Sequence, residues 1–166
     1  AERHGLVVLA RLTDLKGVDR AWSVASTLGE TLTVIGDGPA RAQLQASAPA
    51  AVEFTGTLDR QEALNRVAKS RALLLLPRVS DDGSGAEGLG LCLLEAACLG
   101  IPVIGCRTGG VPEAVGPGLL IDPDQPNLDT IRNFLSDPEA GIEAQLWVSR
   151  MHGPEACLSG LREALS

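Results

Sequence analysis

Ala72-Leu73-Leu74-Leu75-Leu76, then Glu87-Gly88-Leu89-Gly90-Leu91-Cys92-Leu93-Leu94-Glu95-Ala96-Ala97, then Val103-Ile104-Gly105 follow one another in this chain. The first and last are short apolar runs of strand length. In the middle stretch Leu91, Leu94 and Cys98 recur at three- and four-residue steps, which predicts a helix from about Leu89 to Leu99, stopped by Gly100. The order is therefore strand, helix, strand. The same alternation extends in both directions. Strands are expected at Leu6 to Ala10, Leu32 to Ile35, Val52 to Phe54 and Leu119 to Ile121. Helices are expected at about Val18 to Leu28, Ala40 to Ser47, Arg60 to Lys69 and Leu128 to Leu135. Short, mostly apolar strands belong to a parallel sheet covered on both faces. The expected fold is α/β: a Rossmann-like, doubly wound parallel sheet of about six strands with helices on both faces.

Ligands of such sheets lie beyond the carboxyl ends of the strands. Here those ends carry Arg11-Leu12-Thr13-Asp14, Gly36-Asp37-Gly38-Pro39, Arg78 to Gly88, and Arg107 to Gly110. Glu87 falls in a loop and Glu95 on the helix that follows. Between them lies a helix N-terminus with free N–H groups and glycines that let a ligand approach, which suits an anion. Hydroxyl-binding acids on either side of an anion site match a sugar–diphosphate–ribose molecule. Arg11 and Lys16, five residues apart on the same edge, are placed to converge on the diphosphate. On position alone they read better as two solvated surface charges; with the Glu87–Glu95 helix on the same edge, the functional reading overtakes that one.

The chain has 166 residues, 45% of them hydrophobic, enough for one domain with a proper core. Its longest apolar runs are too short to cross a bilayer. A net charge of −7 argues against a nucleic-acid partner. Only two lysines, Lys16 and Lys69, accompany twelve arginines, so each well-placed cation matters against that field. Cys92, Cys98, Cys106 and Cys157 show no metal-type spacing and are read as buried, inert thiols of a cytoplasmic protein. Trp22 and Trp147 are read as packing anchors. The chain begins Ala-Glu-Arg-His-Gly without an initiator Met and is read as a piece of a longer protein. Residues from about 126 to 166 are expected to form a less regular helical tail, broken at Gly141 and at Gly153-Pro154.

From about Leu6 to Ile121 the chain resembles the C-terminal, donor-binding domain of retaining GT-B glycosyltransferases of family 4. Six segments carry the likeness in order. They are Ala10-Arg11-Leu12 through Lys16-Gly17, Val34 to Pro39, Phe54-Thr55-Gly56 with Leu58, Glu87 to Ala96, Gly100 to Ile104, and Thr108 to Glu113. The resemblance implies half of a GT-B fold, residues 1–166 forming one donor-binding domain whose N-terminal acceptor domain is absent. The parent enzyme would transfer a hexose from a UDP-, GDP- or ADP-sugar to an acceptor hydroxyl with retention. It implies that Arg11 and Lys16 hold the diphosphate and stabilise the leaving group, and that Glu87 binds hydroxyls of the transferred sugar. Gly88, Leu89, Gly90 and Leu91 would offer backbone N–H groups, Glu95 would bind the ribose, and the backbone near Leu58 would touch the base. No metal and no other cofactor is expected, and membrane association only through the missing half. The isolated domain would not transfer sugar. Two alternatives stay open: a non-catalytic nucleotide-sugar-binding module, and a GT-B relative acting on a sugar phosphate.

The loop Arg78 to Ala86 departs from the family pattern in its length and acidity. It is read as a mobile surface loop, the alternative being contact with the acceptor. No Gly-x-Gly-x-x-Gly follows the first strand, and no phosphate-binding Walker pattern exists. Asp122-Pro123-Asp124 imitates an Asp-x-Asp metal motif but ends a strand in a turn. His4 and His152 have no acid or nucleophile beside them in the sequence.

Overall fold

The computed structural model describes residues 3–80, 82 and 85–153. Six parallel strands are arranged in the order β3-β2-β1-β4-β5-β6: β1 Leu6–Leu9, β2 Leu32–Ile35, β3 Val52–Gly56, β4 Ala72–Leu75, β5 Val103–Cys106 and β6 Leu119–Ile121. The helices between and after them are α1 Val18–Leu28, α2 Arg41–Ser47, α3 Arg60–Ala68, α4 Leu91–Cys98, α5 Val111–Val115, α6 Leu128–Ser136 and α7 Ala140–Met151. A short 3-10 turn, Asp14–Lys16, precedes α1. The six expected strands are all present. The five expected helices are present within two residues at each end, α7 is a helix of the expected helical tail, and α5 is additional.

Pleat alternation divides the strand side chains between two cores. Leu6, Val8, Leu32, Val34, Ala72 and Leu74 face Val18, Ala21, Val24 and Ala25 of α1 and Ile131 of α6. Val7, Ile35, Leu73, Leu75 and Val103 face α3, α4 and α5, where Ala63, Val67, Leu93, Ala96 and Val111 meet them. Because both faces are covered, the strands read as apolar at every position rather than at every second one. Burying a leucine in such a layer contributes on the order of 1.5–3 kcal/mol.

The strand order reverses direction between β1 and β4, which pair directly through Leu6 with Ala72 and Val7 with Leu73. The chain leaves β1 toward α1 on one face and β4 toward α4 on the other. The loops after these strands must therefore diverge, opening a crevice at the carboxyl edge.

Two expectations are corrected, and helix α4 adds a detail that spacing left open. The stripe Leu91, Leu94, Cys98 that signals the helix is not the face that meets the sheet. Leu93, Ala96 and Ala97 are buried, whereas Leu91 is 67% exposed and Cys98 is exposed. The helix is apolar nearly all round, so two stripes compete in the sequence, and the small residues fit the tighter contact with the sheet. The stripe of Leu91, Leu94 and Cys98 instead borders α7, whose Ala144 and Val148 pack on Ala97 and Leu94. For the same reason Cys98 is not the buried thiol that its apolar neighbours suggested. Finally, Gly141 does not break the tail. It lies in the first turn of α7, where its missing Cβ lets the helix close on the carbonyl of Gly100. Residues 154–166, including Cys157 and the expected break at Pro154, lie outside the described residues, as do residues 81, 83 and 84 of the acidic loop.

Trp22 packs against the first core, and Trp147 against Leu94, Ala97, Ala144 and Val148. Asp122 and Asp124 form a turn, with the backbone N–H of Asp124 donating to Asp122 Oδ1 at 3.0 Å. Among the described residues no group of three His, Cys, Asp or Glu side chains could hold a metal, and no helix is long and apolar enough to cross a membrane.

Candidate functional site

Two cavities adjoin at the crevice. One, of 470 Å³, opens between the loops after β1, β2 and β3 and includes Arg11, Asp37, Thr57, Leu58, Arg60 and Glu95 in its wall. The other, of 500 Å³, opens between the loops after β1 and β4 and includes Lys16, Glu87, Leu89, Gly90 and Leu91. Leu9, Ala10 and Cys92 line both, so β1 and the first turn of α4 form the partition between them. Glu87 lies in the loop ahead of α4 and Glu95 on the helix, and the cavities divide them accordingly.

Each acid meets a cation from another element. Lys16 Nζ donates to Glu87 Oε2 across the crevice, linking the loop after β1 to the loop after β4. The Lys16 side chain is 28% exposed and that of Glu87 12%, so the pair is largely withdrawn from water. Arg60 Nη1 donates to Glu95 Oε1 at 2.6 Å, but Arg60 is 75% exposed and this pair sits at a rim. Arg11 is exposed and has no side-chain partner among the described residues. Arg11 and Lys16 do not line one cavity; each serves its own side of the partition.

Arg60 and Asp37 were not singled out as site residues by their position in the sequence. Arg60 carried a signal nonetheless. It is the first residue of α3, where the helix dipole disfavours a cation and Asp59 already caps the N–H of Glu62 at 2.8 Å. An outside acid offsets that unfavourable position, and Glu95 is the one Arg60 meets. Asp37 is held by the Gly38 N–H at 2.7 Å and by Arg41 at 2.6 Å. These bonds keep its carboxyl below the ordinary value, the Gly38 N–H contributing most.

The backbone ahead of α4 is fixed by neighbouring loops. Gly110 N–H donates to the carbonyl of Glu87 at 3.0 Å, and a Cβ on Gly110 would lie 1.8 Å from the carbonyl oxygen of Gly88. The Thr108-Gly109-Gly110 turn is thus the floor under Glu87. Gly90 caps α4 at φ 77°, and a Cβ there would meet Leu75 at 2.8 Å. Gly88 differs: nothing lies within 4 Å of where its Cβ would be. Packing demands glycine at 90 and leaves open space at 88. No described residue accepts from the backbone N–H groups of Gly88, Leu89, Gly90 or Leu91, which leaves a row of donors at the start of α4. Such a row suits a negatively charged oxygen ligand.

Cys92 is not a nucleophile. It keeps some surface open, yet burial pushes its thiol up to about 12, with the nearby Glu87 charge adding to the effect. A protonated thiol is a poor nucleophile, so Cys92 serves as an apolar wall.

The family described as "Glycosyl transferases group 1" matches residues 3–137. A GDP-mannose-dependent monoacylated α-(1-6)-phosphatidylinositol monomannoside mannosyltransferase of Corynebacterium glutamicum is 32% identical over 123 residues, covering 68% of this chain and 32% of that protein. A GDP-mannose-dependent α-(1-6)-phosphatidylinositol monomannoside mannosyltransferase of Mycolicibacterium smegmatis is 30% identical, covering 98% of this chain and 51% of that protein. Among solved structures, the avilamycin A biosynthesis glycosyltransferase AviGT4 superposes with a TM-score of 0.76 at 24% identity, over 90% of this chain and 46% of that one. Anabaena HepE in complex with UDP and glucose gives 0.75 at 19%, over 98% and 48%. The fold is thus the Rossmann-like type found in GT-B glycosyltransferases. The chain spans about a third to a half of the length of these relatives.

Two outcomes follow from this geometry. Gly90→Ala should destabilise the domain by about 1–3 kcal/mol through left-handed backbone strain and contact with Leu75. Gly88→Ala should leave thermal stability nearly unchanged, and equal losses in denaturant titrations would contradict the distinction. The second concerns Cys92. Its unfolded thiol ionises from about 9.0 upward while the folded one keeps its proton to about 12. Between these values the unfolded state binds fewer protons, so stability falls as pH rises, by roughly 1.4 kcal/mol per unit. Denaturant titrations at pH 8 and pH 10 should show a larger alkaline loss in the parent than in Cys92→Ala.

Proposed function

Because this chain belongs to the group 1 glycosyl transferases, we propose that it is the donor-binding domain of a retaining family 4 enzyme, the C-terminal half of a GT-B protein. The parent transfers a hexose from a nucleoside diphosphate sugar to an acceptor hydroxyl. The observation that carries this reading is the pair of adjoining cavities, one holding Arg11, Arg60, Asp37 and Glu95 and the other Lys16 and Glu87, separated by the donor-rich start of α4. A nucleoside fits the first cavity: Glu95 takes the ribose hydroxyls, and Leu58 with Thr57 borders the base. The hexose fits the second, where Glu87 accepts from its hydroxyls. The diphosphate crosses the partition, between Arg11 on one side and Lys16 on the other.

Derived from this layout, the protein's part in transfer is electrostatic. As the glycosidic bond to the diphosphate breaks, negative charge grows on the leaving oxygen. Lys16, Arg11 and the N–H groups of Gly88 to Leu91 stand ready to stabilise it without reorganising. Glu87 fixes the sugar so that its anomeric carbon faces outward, toward an acceptor carried by a second domain. Relatives and structural neighbours include GDP-mannose-dependent enzymes and a UDP complex, which supports a nucleotide-sugar donor, with UDP, GDP and ADP all open. The chain covers only part of those relatives. The acceptor therefore belongs to the parent enzyme, and any membrane contact to its other half. A cytoplasmic location is part of the same proposal.

Calorimetry with UDP-, GDP- and ADP-sugars and the corresponding nucleotides tests the reading. One base should bind best. Lys16→Ala should weaken its diphosphate by roughly tenfold or more, since a charge-assisted hydrogen bond contributes about 1.5–3 kcal/mol. Glu95→Ala should weaken the nucleoside diphosphate and the nucleotide-sugar alike. Unchanged affinity in Lys16→Ala would refute the diphosphate assignment.

The domain alone should transfer no sugar at a useful rate. Holding two reactants in register supplies roughly 7–11 kcal/mol of barrier lowering, and this half holds one. Incubation with the best-bound nucleotide-sugar and an acceptor, with and without the other half of the parent, decides the point. Efficient transfer by the domain alone would overturn the two-domain assignment.

A further inference from the structure

The Lys16–Glu87 pair places the diphosphate cation and the sugar-binding acid in direct contact before any ligand arrives. This inference rests on the donor-binding reading above. The two residues are 71 positions apart, both line the 500 Å³ cavity, and little of either side chain meets water. A withdrawn carboxylate that loses its cation must find new hydrogen-bond donors or bear an uncompensated charge. A diphosphate arriving at Lys16 draws the ammonium away from Glu87 and sets its own negative charge beside that carboxylate. A donor sugar replaces what Glu87 loses, because its hydroxyls donate to the carboxylate. A bare nucleoside diphosphate offers no such hydroxyl in this cavity. The rim pair Arg60–Glu95 imposes a smaller cost, since Arg60 is 75% exposed and Glu95 is more open to water than Glu87.

We infer that the Lys16–Glu87 ion pair is a counter-ion exchange that makes the site favour the nucleotide-sugar over the nucleoside diphosphate left after transfer. The substrate completes the exchange: diphosphate to Lys16, sugar hydroxyls to Glu87. Once the sugar has gone, Glu87 competes with the diphosphate for Lys16, and the re-forming pair expels the product.

The test compares GDP with GDP-mannose, and UDP with UDP-glucose, by calorimetry on the parent domain and on Glu87→Gln. The isosteric amide removes the competing charge and keeps the side chain's size. Glu87→Gln should bind the bare diphosphate about fivefold or more tightly than the parent and the nucleotide-sugar more weakly. In a Lys16→Ala background the gain for the bare diphosphate should shrink to about twofold or less. Bare-diphosphate affinity unchanged or weakened by Glu87→Gln, or an equal gain with and without Lys16, would overturn the exchange. A second measurement needs no variant. With two lysines in the chain, a lysine-labelled NMR spectrum has two side-chain signals, and the Lys16 signal should move on saturation with the diphosphate. A Lys16 signal that stays in place at saturation would also overturn it. If neither nucleotide nor nucleotide-sugar binds the parent domain, the donor-binding reading itself fails, which is a different result.

Discussion

A parallel sheet buried on both faces leaves its polar chemistry nowhere to go but the edges. Leu73, Leu74 and Leu76 are fully buried, and helices cover either side of them. Parallel strands all point the same way, so every loop that leaves a strand end leaves on one edge. At the β1–β4 junction those loops part to opposite faces, and the gap between them is the crevice. The site is thus a by-product of sheet burial. Its cations and acids are brought together by strand order, although Lys16 and Glu87 lie far apart in the chain.

Charge is managed locally in an acidic protein. With a net charge of −7 the general field repels anions. Lys16, Arg60 and Arg41 each have a named carboxylate partner, while Arg11 has none among the described residues. The pairing differs in kind from one cation to the next. Exposed pairs contribute little and are easily traded. The Lys16–Glu87 pair is another matter, because Glu87, 12% exposed, has little water to fall back on. The electrostatics of the cavity are therefore uneven, firm near Lys16 and soft near Arg60.

The fold was legible in the sequence because uninterrupted apolar runs of strand length, alternating with amphipathic stretches, admit few arrangements. Leu32 to Ile35 and Leu119 to Ile121 are strands with the expected bounds. Helix α4 shows where such reading stops. Its residues are apolar nearly all round, so periodicity locates the helix without choosing its buried face: Leu93 and Ala96 meet the sheet, and Ala97 packs on α7. Gly141 was misread because a glycine that breaks a helix and one that admits a close neighbour look identical in one dimension. The placement of Glu87 in a loop and Glu95 on a helix was readable from spacing. The partners they take were not, since Arg60 and Lys16 reach them only through the order of the strands. The separation of Arg11 from Lys16 by the β1–α4 partition was hidden for the same reason.

The hydrogen bond from Gly110 to the carbonyl of Glu87 gives the loop after β5 a stake in a residue that it does not contain. Gly109 and Gly110 press against the Glu87–Gly88 backbone so closely that neither has room for a side chain. The height of the Glu87 carboxylate above the cavity floor is thus set by a neighbouring turn as much as by its own loop. For anyone redesigning which sugar this scaffold accepts, swapping Glu87 alone would alter the chemistry of recognition while leaving its depth untouched. The depth is adjustable only by rebuilding residues 107–110 together with 87–90, as a single two-loop cassette.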